Sequence, residues 1–278
     1  MSKGYANPAL LITPTDLDRR LDDTKPPTLI DLRPAEVFAQ GHLRGAVHLD
    51  LFGLSLIDTG PAPLEAFLWM ISHLLVTRGV SADRTVVVYD EQSGIRAARA
   101  FWFLEFFGHP DSRVLDGGVS AWLRQGLTIT TETALPQKGA WDVGRVSERL
   151  ATWSDVATRL GRDDVVILDT RSDGEYYGSN VRAKRGGAIP GAVHIEWTKN
   201  LDGEGKFKVA ADLQDMYNDS GIGRDKEVIT YCQGGYRAAH SYLALRLLGY
   251  PRIRNYVGSW KEWGDREDLP IAHPNSSS

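Results

Sequence analysis

The sequence predicts an α/β chain built from two similar units, each a mainly parallel sheet flanked by helices. Two observations support this: the chain repeats itself, and short continuous apolar runs alternate with longer helix-like stretches. Leu29-Ile30-Asp31-Leu32-Arg33 returns as Ile167-Leu168-Asp169-Thr170-Arg171, and Gly45-Ala46-Val47-His48 returns as Gly191-Ala192-Val193-His194. Thr85-Val86-Val87-Val88-Tyr89-Asp90 matches Glu227-Val228-Ile229-Thr230-Tyr231-Cys232, and Arg96-Ala97-Ala98 matches Arg237-Ala238-Ala239. Phe107-Gly108-His109-Pro110 answers Leu248-Gly249-Tyr250-Pro251, while Gly117 and Trp122 answer Gly258 and Trp263. The offsets lie between 138 and 146 residues, so small insertions separate two copies of one unit.

The runs 28–32, 85–89, 165–169 and 227–231 are apolar almost throughout, as expected of strands buried on both faces. Helical stretches are expected over 64–77, 96–107, 154–160 and 238–248. Strands alternating with helices predict a parallel sheet. The stretch 127–146, with Pro136, Lys138 and Gly139 near its middle, reads as a connection. The expected boundaries are thus a first domain over 1–130, a linker over 131–146 and a second domain over 147–278. A length of 278 residues suits two domains.

Composition narrows the function. Hydrophobic residues make up 42% and charged residues 24%, the balance of a chain that buries a core. The net charge of −4 gives no general attraction to nucleic acid or to an anionic membrane surface. No apolar run is long enough to span a bilayer. Met1-Ser2-Lys3-Gly4-Tyr5-Ala6-Asn7-Pro8 lacks the apolar core of a secretory signal, so a cytoplasmic protein is expected. Residues 274–278 read as a frayed end. A single cysteine excludes an internal disulfide and a thiolate metal cluster, and leaves Cys232 without a resolving thiol.

That cysteine ends an expected strand and opens Cys232-Gln233-Gly234-Gly235-Tyr236-Arg237, directly before an expected helix. A strand that stops at Cys and turns through two glycines into a helix aims several main-chain N–H groups at the sulfur. Those amides and the positive helix end favour a thiolate, so an exposed, ionised nucleophile is expected. Lone cysteines are most often inert packing residues. Here Gly234 and Gly235 contribute no packing, and Arg237 adds a positive charge. In the first copy Asp90 takes the cysteine's place, and the following loop is one residue longer before Arg96. That copy reads as catalytically inactive, a wall to one side of the cleft. Arg237 lies five positions after Cys232, one fewer than a cysteine phosphatase needs to wrap a phosphate. The shorter loop suits a single extra sulfur atom, while a redox-sensing thiol remains an alternative.

At this point the chain resembles the rhodanese family of sulfurtransferases in its tandem two-domain form. The resemblance covers about residues 10–270. It rests on the Cys232–Arg237 loop, on Asp31-Leu32-Arg33 with Gly41-His42-Leu43-Arg44-Gly45-Ala46, and on Asp169-Thr170-Arg171 with Ile189-Pro190-Gly191-Ala192. Leu115-Asp116-Gly117-Gly118-Val119-Ser120-Ala121-Trp122 and Tyr256-Val257-Gly258-Ser259-Trp260-Lys261-Glu262-Trp263 complete it. The resemblance implies two tandem rhodanese-like domains and a double displacement through a Cys232 persulfide, without metal or organic cofactor. Sulfur would pass from a small anionic donor to cyanide, a thiol or a sulfur-accepting protein. It further implies that basic residues before Ile189 hold the donor, which selects Arg182 and Arg185 from the cluster with Lys184.

Family members that use 3-mercaptopyruvate usually carry Gly-Ser-Gly after the cysteine, and thiosulfate users carry more basic loops. Gln233-Gly234-Gly235-Tyr236-Arg237 matches neither fully. Arg237 suits a dianion and the loop has no serine, so thiosulfate is the expected donor, with 3-mercaptopyruvate or a persulfide-carrier role as alternatives. Arg237 is expected either to touch substrate or to anchor the loop on a carboxylate. Tyr236 and Trp197 are candidate pocket walls. Asp31, Arg33, Asp169 and Arg171 recur in both copies and read as structural pairs. Trp122 and Trp263 read as core anchors, His48 and His194 as hydrogen-bonding residues. Ala188 departs from the family in lacking the histidine that the first copy has at His42.

Overall fold

The computed structural model describes residues 3–275; part of the expected frayed end, residues 276–278, lies outside the described residues. The first unit runs β1 (Leu11–Ile12), α1 (Pro14–Arg20), β2 (Thr28–Asp31), α2 (Ala35–Gln40), β3 (Val47–His48), α3 (Pro61–Thr77), β4 (Val86–Tyr89), α4 (Ile95–Phe106), β5 (Ser112–Leu115) and α5 (Gly118–Arg124). The second runs β6 (Leu150–Ala151), α6 (Trp153–Ala157), β7 (Val165–Asp169), α7 (Asp173–Tyr176), β8 (Val193–His194), α8 (Ala210–Asp219), β9 (Glu227–Tyr231), α9 (Tyr236–Leu247), β10 (Ile253–Tyr256) and α10 (Ser259–Trp263). Residues 131–146 between them carry no helix or strand.

Each unit forms one five-stranded, wholly parallel sheet, ordered β1-β5-β4-β2-β3 and β6-β10-β9-β7-β8. The registers correspond: Asp31 lies opposite Tyr89, and Asp169 opposite Tyr231. The helices begin slightly earlier than expected. α3 starts at Pro61, whose ring pre-sets the helical φ. α6 starts after Thr152, which forms a capping box with Asp155.

Successive strand residues face opposite sides, which explains the unbroken apolar runs. Ile30, Val86 and Val88 enter a large central core, whereas Leu29, Val87 and Tyr89 pack outward with Trp122. In the second sheet Val166, Leu168 and Val228 face the centre, and Ile167, Ile229 and Tyr231 join Trp260 and Trp263 outside. The central core belongs to both units, since α4 and α9 pack on each other between the sheets. Each Val, Leu or Phe buried there contributes about 1.5–3 kcal/mol. Polar ties reinforce the joint. The His240 Nε2–H donates to Ser93 O at 2.8 Å, Tyr242 Oη to Glu105 at 2.6 Å, and Arg246 pairs with Glu105 at 3.0 Å.

The recurring charged residues are structural pairs. Arg33 donates to Asp31 at 2.7 Å and to Gly41 O at 2.7 Å; Arg171 donates to Asp169 at 2.6 Å and to Gly187 O at 2.7 Å. His48 bonds Arg33 O, and His194 bonds Asp169 O. His42 bridges Phe38 O and Glu132 O. Its counterpart Ala188 keeps only the main-chain bridge, exchanging bonds of 2.9 and 2.8 Å with Ala272. No helix of the described residues is long and apolar enough to cross a membrane.

Candidate active site

β9 ends at Tyr231 and α9 starts at Tyr236, so residues 232–235 must turn the chain within one short loop. Gly235 adopts φ of +84°, in the left-handed region, immediately before the helix. Its N–H donates to Cys232 Sγ at 3.1 Å, and the amides of Gly234 and Ala238 face the same atom. Strand end, turn and helix start thus converge three N–H groups on one sulfur.

The segment around Ser259 pins the loop from below. Cys232 N–H donates to Ser259 Oγ at 3.1 Å, and that hydroxyl donates to Tyr256 O at 2.7 Å. The N–H groups of Trp260 and Lys261 donate to Cys232 O and Gln233 O, both at 2.9 Å. Ser259 holds φ of +55°, a strained value for a residue with a side chain, and this network holds it there.

The sequence leads one to expect an exposed thiol, and here the structure corrects it. Cys232 is only 1% exposed, at the floor of a cavity of ≈ 390 Å³. Burial alone pushes a thiol up. Arg237, the amides of Ala238 and Gly234, and the more distant Arg99 outweigh that effect, and hold Cys232 below the ordinary cysteine range. Gly235→Ala is expected to cost about 1–2 kcal/mol through its backbone alone. The new β-carbon would also collide with Arg99. Thermal melts should report that loss, and alkylation rates should show a less reactive thiol.

Both units line the cavity. Phe52, Gly53, Ser55 and Ile95 come from the first; Arg182, Gln233, Gly234, Tyr236, Arg237 and Lys261 come from the second. None of these residues is acidic. Arg237 Nη1 and Nη2 donate to Glu175 Oε2 and Oε1 at 2.5 and 2.8 Å, so one guanidinium both borders the cavity and anchors the loop. Burial pushes the Glu175 carboxyl up, but Arg237 and Ser172 reverse this and hold it at about 2. Arg182 reaches the same carboxylate at 3.5 Å with its side chain half-exposed, and its carbonyl accepts from Gln233 Nε2 at 2.7 Å. Tyr236 donates to Leu51 O at 2.6 Å across the unit boundary.

Two candidates lie elsewhere. Arg185 turns away from the cavity and donates to the carbonyls of Trp263, Gly264, Arg266 and Leu269. With its donors spent on main chain, it braces the C-terminal segment instead of facing a donor anion. Trp197 packs edge-on against His240 at 4.9 Å, inside the inter-unit joint and not in the cavity wall. Sequence reasoning missed Glu175, Ser55, Lys261 and Ser259. Ser172-Asp173-Gly174-Glu175 carries the capping-box pattern, which marks Glu175 as an ordered carboxylate. Ser55 and Lys261 left no local signal, because other segments bring them to the cysteine.

The first unit shows what the cradle does when its anion is built in. The Asp90 carboxylate accepts from Glu91 N at 2.7 Å and from Arg96 N at 3.0 Å. The Ala97 amide also faces it. Ala97 is the counterpart of Ala238, so the repeat places an acceptor at one site in both units: oxygen in one, sulfur in the other.

Comparison with known proteins places the chain in a family. The Rhodanese-like domain model matches residues 13–125 and 152–266. The chain is 35% identical over 270 residues to a thiosulfate sulfurtransferase of Pseudomonas aeruginosa, covering 96% of this chain and 98% of that protein. It is 33% identical over 293 residues to the sulfur carrier protein TtuD of Thermus thermophilus, covering 97% and 98%. In fold it is similar to an anaerobic ergothioneine biosynthesis enzyme from Chlorobium limicola, with a TM-score of 0.79 at 22% identity over 95% of this chain and 70% of that one. Repeat, parallel sheets and matched residues lead to one conclusion: the chain belongs to the rhodanese family, with two rhodanese-like domains in tandem.

Proposed function

We propose that the protein is a sulfurtransferase that moves a sulfane sulfur from thiosulfate to cyanide or a thiol through a persulfide on Cys232. The observation that carries this reading is the sulfur itself, which accepts the Gly235 N–H at the floor of a cavity bordered by Arg182, Arg237 and Lys261. In the first half-reaction the Cys232 thiolate attacks the outer sulfur of thiosulfate. The S–S bond of the donor breaks, sulfite leaves with the electron pair, and a Cys–S–S⁻ group remains. Cyanide then attacks the terminal sulfur, thiocyanate leaves, and the thiolate is restored. The amide ring offers charge-assisted hydrogen bonds to both anionic forms.

Three cations and no acid along the cavity favour a dianionic donor. Ser55, which lies against Gly234, supplies a hydroxyl that the loop lacks, so a 3-mercaptopyruvate reading has a structural basis too. Paired kinetics with the two donors separate them: a higher kcat/KM for thiosulfate supports our reading, and the reverse order overturns it. A carrier role, which TtuD's name raises, would give the same extra sulfur by intact mass but slow thiocyanate release, the sulfur leaving specifically to a protein partner. Arg182→Ala is expected to raise KM for thiosulfate about fivefold with kcat unchanged, the share of a half-exposed cation worth about 1 kcal/mol. Raising the salt concentration should shrink that difference.

A further inference from the structure

A buried cation on the far side of the loop has no hydrogen-bonding partner among the described residues. Arg99 of α4 is fully buried, and its Nε, Nη1 and Nη2 make no hydrogen bond. Its guanidinium lies among aromatic rings, 4.8 Å from the centroid of Tyr236, 4.9 Å from Phe103 and 5.5 Å from Trp102. Nη1 presses against Gly235, whose missing side chain leaves it room and whose N–H donates to Cys232 Sγ. A dry, unpaired charge is among the most costly things a fold can hold, and ring faces offset only part of it.

The repeat sharpens the point. The position equivalent to Arg99 in α9 is His240, which likewise reaches across the joint and donates from Nε2 to Ser93 O, in the loop after Asp90. Burial takes the His240 imidazole down to about 4, so this ring is neutral. Each central helix therefore inserts one nitrogen-bearing side chain beneath the opposite unit's loop. Beneath the loop whose carboxylate already has its amides lies a neutral ring. Beneath the cysteine loop lies a cation.

We infer that Arg99 is a positioning residue for the active sulfur: the first unit holds its charge buried behind Gly235, and the anion on Cys232 supplies the balance. This rests on the reading of Cys232 as an ionised nucleophile. It gives the unit that lacks a cysteine an electrostatic part in the reaction beyond that of a wall. On the solvent side the sulfur faces Arg237, itself paired with Glu175, and the cavity cations Arg182 and Lys261. Tyr236 flanks it, and the Arg96–Asp50 pair stands beside Phe52, which borders the cavity. On the inner side the charge is that of Arg99, which burial disfavours and the Cys232 thiolate favours.

The test uses the full chain and the fact that Cys232 is its only cysteine. Rates of iodoacetamide alkylation across pH give the thiol midpoint directly. Arg99→Met is expected to move that midpoint upward by about one unit, so that about tenfold less thiolate reacts at pH values below it. Arg99→Lys, which keeps the charge, should restore most of the shift. Thermal melting of Arg99→Met should not fall, since an apolar chain of similar reach replaces the buried cation and the thiol takes up a proton in place of the lost charge. If Arg99→Met does not fold, Arg99→Gln carries the same expectation for the midpoint. An unchanged midpoint in the neutral variant, or an equal shift in the lysine variant, overturns the inference. An ordinary midpoint in the parent protein would sink the nucleophile reading itself, a separate and distinguishable failure.

Discussion

Cys232→Ser is expected to abolish persulfide formation and to lower thiocyanate production from thiosulfate and cyanide by about 10⁴-fold or more. A serine hydroxyl is not ionised near neutral pH, and the first half-reaction needs an anion to attack the donor's outer sulfur. The fold has no reason to collapse. Oxygen can accept the Gly235 N–H as sulfur does, and the Ser259 bond involves only the Cys232 main chain. Intact-mass spectra after thiosulfate treatment should show one added sulfur on the parent protein and none on the variant, with similar melting curves. Retained turnover would remove Cys232 from the chemistry altogether.

The second large effect concerns Arg237→Ala, which breaks a nearly buried ion pair. The side chains of Arg237 and Glu175 are 14% and 3% exposed, so the variant strands a carboxylate with little water to replace its partner. Loss of one partner in such a pair costs about 3–5 kcal/mol. The sign of the pH dependence follows from Glu175. Its folded value of about 2 lies below the ordinary 4.5, so the pair's contribution is fully present above pH 4.5. It is then lost as pH falls toward 2. Screened by the half-open cavity, it amounts to about 2–3 kcal/mol. In Arg237→Ala burial is no longer opposed by the guanidinium and the carboxyl rises, so the variant should be relatively less unstable near pH 5 than at pH 7. Urea melts at the two pH values check this. Adding Glu175→Gln should recover stability but not thiol reactivity, because the charge beside the sulfur stays absent.

The duplication, the parallel sheets and the turn of the Cys232 loop were legible because each leaves a local signature. β-branched runs buried on both faces read as strands, and a Cys-Gln-Gly-Gly turn before a helix reads as an anion cradle. Arg182 was found through its basic loop, yet Arg185, in the same loop, turned out to brace carbonyls of the C-terminal segment. Nothing in a charge cluster states which guanidinium finds a backbone cage. The burial of Cys232 was missed for a related reason, since Phe52, Gly53, Ser55 and Ile95, which wall the cavity above it, come from far along the chain. Glu175, Ser55 and Lys261 come from separate segments, and only the folded topology brings them together. Arg99 lies in an apolar helix of the other unit, where sequence offers no hint that its charge goes unpaired.

α4 and α9 give the two halves one shared, largely apolar interior. Large apolar joints of this kind do not open and close with each turnover. The vestibule above the sulfur therefore keeps a standing aperture, and choice among acceptors falls to girth and charge at its rim. On the sulfurtransferase reading a small acceptor suits that rim, and a macromolecular one would have to offer its reactive atom on a narrow, extended tip.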